Sequence, residues 1–90
     1  MAMPAAAPLC LLPGLICNEM VWAAQVEALG DWHPMAVRGY GNARSLVNMA
    51  EIVLDAAPAR MSLAGHSMGA RVALEMLRLA PARIERLALL

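Results

Sequence analysis

The sequence predicts an α/β fold with a mostly parallel sheet and helices on both of its faces. Four short apolar runs alternate with three segments of helical spacing, which gives the order β-α-β-α-β-α-β. The connections are short, and parallel strands joined by helices carry those helices on both faces of the sheet. The composition is 61% hydrophobic and 16% charged, against roughly 45–50% and 25% in ordinary soluble domains. We interpret the apolar excess as the interior of a larger domain.

The first strand and helix are predicted from apolar segments with clear ends. Residues 8–12 form a continuous apolar run that Pro13 and Gly14 end, a pattern typical of a strand buried on both faces. Residues 20–29 place their large apolar side chains on one helical face, and Gly30 is the expected stop. The Ala/Pro-rich leader before this unit, residues 1–7, is expected to be disordered.

The second strand is predicted over residues 34–37, and a glycine-rich turn at residues 38–42 follows it. This turn belongs to the edge of the sheet where the strands end, so its side chains could line a pocket or simply lead into the next helix. Ser45 is the expected N-cap of that helix, which runs to about residue 57, before Pro58.

The last part of the chain is predicted to contain a strand over residues 60–65, a helix over 68–79 and a strand over 84–90. Arg83 and its charged neighbours are expected on solvated faces, since arginine and glutamate alternate there.

The junction of the third strand and the third helix carries the motif Gly65-His66-Ser67-Met68-Gly69. A Gly-x-Ser-x-Gly sequence between a strand and a helix holds the serine on a sharp, strained turn with its hydroxyl exposed. Glycine is expected at both ends because a side chain there would collide with the neighbouring strand or helix. The backbone N–H of Met68, at the positive end of the helix, would face an oxyanion above Ser67.

A second oxyanion donor is expected from the loop that follows the first strand. That loop leaves the sheet at the same carboxyl edge as the serine turn, and the N–H of Leu15, directly after Gly14, is the candidate. Two such donors are each worth roughly 3–4 kcal/mol of transition-state stabilisation. The alternative is a chance match, because the motif fixes only three residues.

Three segments together resemble one known family. Residues 11–15 (LLPGL) are similar to an oxyanion loop, residues 38–41 (RGYG) to an Arg-Gly-His-Gly turn, and residues 65–69 (GHSMG) to a nucleophile elbow. The chain from residue 8 onward resembles the N-terminal part of the α/β-hydrolase fold family, in the branch of carboxylesterases, thioesterases and carbon–carbon bond hydrolases. Pro13 departs from the histidine of many relatives. Serine at the elbow argues against epoxide hydrolases and haloalkane dehalogenases, which use aspartate.

The resemblance implies a serine hydrolase that acts on a small-molecule acyl substrate without a cofactor or metal ion. Ser67 would be the nucleophile, and the amides of Met68 and Leu15 would stabilise the oxyanion before water hydrolyses an acyl-enzyme. In the family the acid and the histidine follow later strands, so both are expected beyond Leu90. The alternatives are acyl transfer by the same chemistry, or a truncated, non-catalytic chain with a binding or assembly role.

The other acidic and histidine side chains are poor candidates for the missing base and acid. His66 neighbours Ser67, but adjacent residues at a tight turn point apart. His33, Asp31 and Asp55 precede strands and are expected at the opposite, amino edge of the sheet. Glu19 is expected to be a solvated charge near the first loop.

Charge and cysteine content exclude several functional classes. The formal net charge is +0 and no basic stretch stands out, so neither nucleic acid nor an anionic membrane is an expected partner. No segment approaches the ~18 apolar residues of a membrane span. Cys10 and Cys17 lack metal-ligand spacing and are expected to be buried, reduced thiols, which suits a cytoplasmic protein. The sequence leaves the oligomeric state open.

Overall fold

A computed structural model of the chain describes residues 8–14, 19–32 and 34–90. The predicted leader at residues 1–7 lies outside the described residues, as do Leu15, Cys17 and His33.

Four parallel strands form one sheet in the order β2-β1-β3-β4, with β1 at Leu9–Leu12, β2 at Pro34–Ala36, β3 at Met61–Gly65 and β4 at Ile84–Leu89. The helices that connect them are α1 at Ala23–Ala28, α2 at Leu46–Ala56 and α3 at Met68–Leu79. Short 3-10 helices lie at Glu19–Trp22, Gly30–Trp32 and Pro81–Arg83. The predicted alternation of strands and helices is confirmed.

Helices cover both faces of the sheet, as predicted. Side chains of successive strand residues point to opposite faces, so neighbouring positions of β1 belong to two different apolar clusters. Cys10 and Leu12 pack with the buried residues of α2 and α3, whereas Leu11 packs with Trp22 and Ala64 on the α1 side. All five of these residues are buried.

The first helix differs from its prediction, because the segment predicted as one helix over residues 20–29 begins as the 3-10 helix Glu19–Trp22 and becomes α-helical only at Ala23. Trp22, at the N-cap of α1, offers no side-chain hydrogen bond to the free N–H groups of the first turn. Without a cap, a tighter i→i+3 turn is a common way to satisfy such groups.

Both ends of α2 are held by side chains. The Asn48 N–H donates to the Ser45 hydroxyl at 3.0 Å, which confirms Ser45 as the N-cap. At the other end, the Arg83 guanidinium donates to the carbonyls of Leu54, Ala57, Pro58 and Ala59 at 2.7–3.1 Å. The expectation of a solvated Arg83 was therefore wrong: a cation at a helix C-terminus satisfies the last carbonyls and complements the helix dipole.

Within the described residues, no helix is both long enough and apolar enough to cross a membrane.

Candidate active site

Ser67 occupies a strained backbone conformation between β3 and α3. Its φ of 58° and ψ of −119° make it the only non-glycine residue with positive φ in the described part of the chain. Such conformations persist only where the surrounding structure enforces them, and they are frequent at functional sites. The Ser67 N–H donates to the Leu90 carbonyl at 2.9 Å, and the His66 N–H donates to the Leu12 carbonyl at 3.1 Å. The strands on both sides of β3 therefore brace the turn.

The two glycines of the motif are required by close backbone contacts. A Cβ atom at Gly65 would lie 2.6 Å from the Ala70 nitrogen and would also clash with the Gly69 carbonyl. A Cβ atom at Gly69 would lie 2.7 Å from the Pro13 carbonyl oxygen and would clash with the Leu12 carbonyl. The start of α3 thus packs directly on the end of β1, and this contact sets the sharpness of the turn.

An exposed serine hydroxyl lies beside a backbone N–H that donates to no described residue. Ser67 is exposed, and its side chain makes no hydrogen bond with another described residue. The Met68 N–H likewise donates to none of the described residues. Met68 is the first residue of the 12-residue helix α3, so its N–H lies at the positive end of the helix dipole. Within the part of the chain that the structure describes, nothing competes with a bound molecule for either group.

The loop after β1 reaches this turn, as the sequence predicted. A Cβ atom at Gly14 would lie 3.3 Å from the Ser67 Cβ and 3.4 Å from the His66 carbonyl oxygen, so the backbone of Gly14 already lies against the elbow. Leu15, the predicted second donor, lies outside the described residues and its N–H stays a prediction.

The direction in which successive strands are added to the sheet reverses between β1 and β3, next to Ser67. From β1 the chain proceeds to β2 on one side, whereas from β3 it proceeds to β4 on the other, and β1 and β3 are neighbours. Gly14 and Ser67 follow the carboxyl ends of these two strands. In open α/β sheets, ligands bind in the crevice at such a switch point. The topology and the serine turn therefore indicate the same crevice.

Tyr40, in the turn after β2, also reaches this edge of the sheet. Its side chain is buried, with 9% of its surface exposed, and its hydroxyl donates to the Pro13 carbonyl at 2.6 Å. Burial raises the pKa of the Tyr40 phenol well above its usual range, so it stays protonated at neutral pH. Sequence reasoning placed this turn at the correct edge but did not identify the bond, because nothing local to residues 38–42 indicates its partner. Arg38 and Asn42, from the same turn, are exposed.

The described titratable side chains do not complete a catalytic triad. His66 is exposed and lines a cavity of about 250 Å³ beside the elbow, together with Trp22, Gln25 and Leu90. Asp31 precedes β2 and Asp55 lies near the end of α2, both at the amino edge as expected, and neither is hydrogen-bonded to Ser67. Cys10 is buried, as expected, and forms no disulfide bond with a described residue. Burial raises the pKa of its thiol, which argues against a role as a nucleophile.

Comparison with known proteins gives one curated relative and one solved structure of note, while no protein-family model matches the chain. The pimeloyl-[acyl-carrier protein] methyl ester esterase of Nitrosomonas europaea is 34% identical over 89 residues, which cover 90% of this chain and 35% of that protein. The structure of a marine microorganism esterase superposes with a TM-score of 0.75 at 22% identity, over 93% of this chain. The sheet is part of an α/β-hydrolase-type fold. The predicted resemblance to that fold family is confirmed.

The matched region is a minor part of each of these proteins. This chain spans 35% of the length of the curated relative and 37% of the marine esterase chain. The likeness therefore covers most of this chain but only about a third of either protein.

Proposed function

We propose that this chain supplies the nucleophile and oxyanion donors of a serine hydrolase that cleaves an ester or similar acyl bond. The observation that carries the proposal is the strained, exposed Ser67 beside the Met68 N–H, which donates to no described residue, at the switch point of the sheet. The esterase relative supports the same reaction class. The name of that relative specifies a methyl ester, and for this chain we propose carboxylic esters of small alcohols as the substrate class.

In the proposed reaction, Ser67 Oγ attacks the acyl carbonyl carbon and its proton passes to a histidine base. No histidine of the described residues is hydrogen-bonded to Ser67, and the resemblance assigns this base and its carboxylate partner to segments that follow later strands. The Met68 N–H, with the Leu15 N–H as its expected partner, stabilises the negative charge on the carbonyl oxygen. Collapse expels the alcohol and leaves an acyl ester on Ser67, which water then hydrolyses to the free acid.

The proposal is tested by following the hydrolysis of a short p-nitrophenyl ester by the full-length natural protein. Because acylation releases p-nitrophenol before deacylation, we expect a burst of about one equivalent per protein, followed by slower turnover. Adding methanol separates hydrolysis from acyl transfer, since a transferase forms the methyl ester in preference to the acid. The absence of both burst and turnover with short acyl esters would contradict the proposal and favour a non-catalytic chain.

A further inference from the structure

The Pro13 carbonyl is a contact point between three parts of the fold. It directly follows the first strand, it accepts the hydrogen bond of the Tyr40 hydroxyl at 2.6 Å, and it lies against the Cα of Gly69 in the first turn of α3. Pro13 is fully buried. Among the described residues, Tyr40 provides the one hydrogen bond that this carbonyl receives.

Two residues of the proposed site are sequence neighbours of Pro13 and Gly69, which form this contact. Gly14 follows Pro13 and lies so close to Ser67 that a Cβ atom on Gly14 would be 3.3 Å from the Ser67 Cβ. Met68, whose N–H is the proposed donor, precedes Gly69. A displacement of the Pro13 carbonyl therefore moves the loop beside the nucleophile relative to the start of α3.

We propose that Tyr40 is a positioning residue of the Ser67 site, which acts by holding the Pro13 carbonyl against the start of α3. The inference rests on the proposed function. A buried carbonyl that loses its only donor moves toward another donor or admits water. Because a misplacement of about 1 Å can lower a rate about 100-fold, we expect the loss of this one hydroxyl to affect the transition state more than substrate binding.

The experiment compares Tyr40→Phe with Arg83→Gln in the full-length protein. Arg83 binds carbonyls at the C-terminal end of α2, at the opposite edge of the sheet, so its replacement also removes partly buried hydrogen bonds to backbone carbonyls without touching Ser67. Urea unfolding of both variants shows how much stability each has lost. We expect Tyr40→Phe to lower kcat about 10- to 100-fold with little change in KM, and Arg83→Gln to keep the wild-type kcat.

A second readout separates positioning from simple destabilisation. A thionoester substrate develops its negative charge on sulfur, which is larger than oxygen and a weaker hydrogen-bond acceptor, so its rate depends less on a precisely aligned oxyanion donor. We therefore expect the oxoester-to-thionoester rate ratio to fall in Tyr40→Phe and to be unchanged in Arg83→Gln. The loss of kcat in Tyr40→Phe should also be the same from about pH 6 to pH 9, because the phenol stays protonated below its ordinary pKa of about 10 and burial raises it further.

The inference is overturned if Tyr40→Phe retains the wild-type kcat and rate ratio, or loses no more activity than Arg83→Gln at equal loss of stability. If Tyr40→Phe does not fold, Tyr40→Met replaces it, because methionine keeps a flexible apolar side chain that offers no hydrogen-bond donor, and the same fall is expected. The Ser67→Ala variant distinguishes failure of this inference from failure of the proposed function. If the proposed function is wrong, Ser67→Ala retains turnover, and the positioning role of Tyr40 is then wrong as well.

Discussion

Replacing Ser67 by alanine in the full-length protein is expected to lower kcat for ester hydrolysis by about 10⁴-fold or more. The substitution removes the one atom that forms the acyl-enzyme, and what survives is the catalysis due to the oxyanion donors and substrate binding. KM should rise toward the dissociation constant of the substrate, since the slow deacylation that produces the burst keeps the wild-type KM below that constant. The measurement is the steady-state rate with a short p-nitrophenyl ester, together with the disappearance of the burst.

Ser62→Ala is the matched control for this variant. Ser62 lies in β3 five residues before Ser67, and its backbone N–H, which the substitution keeps, donates to the Pro8 carbonyl at 2.9 Å. We expect Ser62→Ala to retain the wild-type kcat. Equal activity of the Ser67→Ala and wild-type proteins would remove Ser67 from the mechanism.

Gly69→Ala is expected to lower the free energy of unfolding by about 3 kcal/mol or more, at the upper end of what overpacking costs. The added Cβ would meet the carbonyl groups of Leu12 and Pro13, which are backbone atoms and cannot rotate away as a flexible side chain would. Relief requires α3 to move away from β1, so the turn that holds Ser67 should open and activity should fall with stability. Urea unfolding followed by far-UV circular dichroism measures the first effect, and ester hydrolysis measures the second.

Gly30→Ala provides the comparison for Gly69→Ala. Nothing lies within 4 Å of a Cβ at Gly30, and its φ is not in the left-handed region. This variant should differ from the wild-type protein by less than about 0.5 kcal/mol. A Gly69→Ala protein that is as stable as Gly30→Ala would contradict the tight packing of α3 on β1.

The parts of this fold that the sequence predicted are those with local signals. The apolar runs at β1 and β3 are short and are bounded by turn residues, which favours strands over helices at both places. The Ser45 cap is equally local, because its partner Asn48 is three residues away. The Gly-x-Ser-x-Gly motif carries the geometry of the serine turn in five adjacent residues, and the parallel topology then brings Gly14 to the same edge.

The contacts that sequence reasoning missed join residues that are distant along the chain. Tyr40 and Pro13 are 27 residues apart, and Arg83 reaches carbonyls 24 to 29 residues before it. A tyrosine between two glycines and an arginine among other charged residues look the same locally whether they are solvated or buried against a backbone carbonyl. Only the assembled sheet decides which is the case, because it places the turn after β2 and the end of α2 beside their partners.

The central claim is that Ser67 is a nucleophile activated for acyl chemistry, and covalent labelling of the full-length protein tests it most directly. A fluorophosphonate reacts with such a serine, and its phosphonyl oxygen occupies the place of the oxyanion. Intact-mass and peptide mass spectrometry should find a single adduct, on the peptide that contains Ser67, and a competing ester substrate should slow its formation. An adduct at another residue, or no adduct in a protein that hydrolyses esters, would contradict the account.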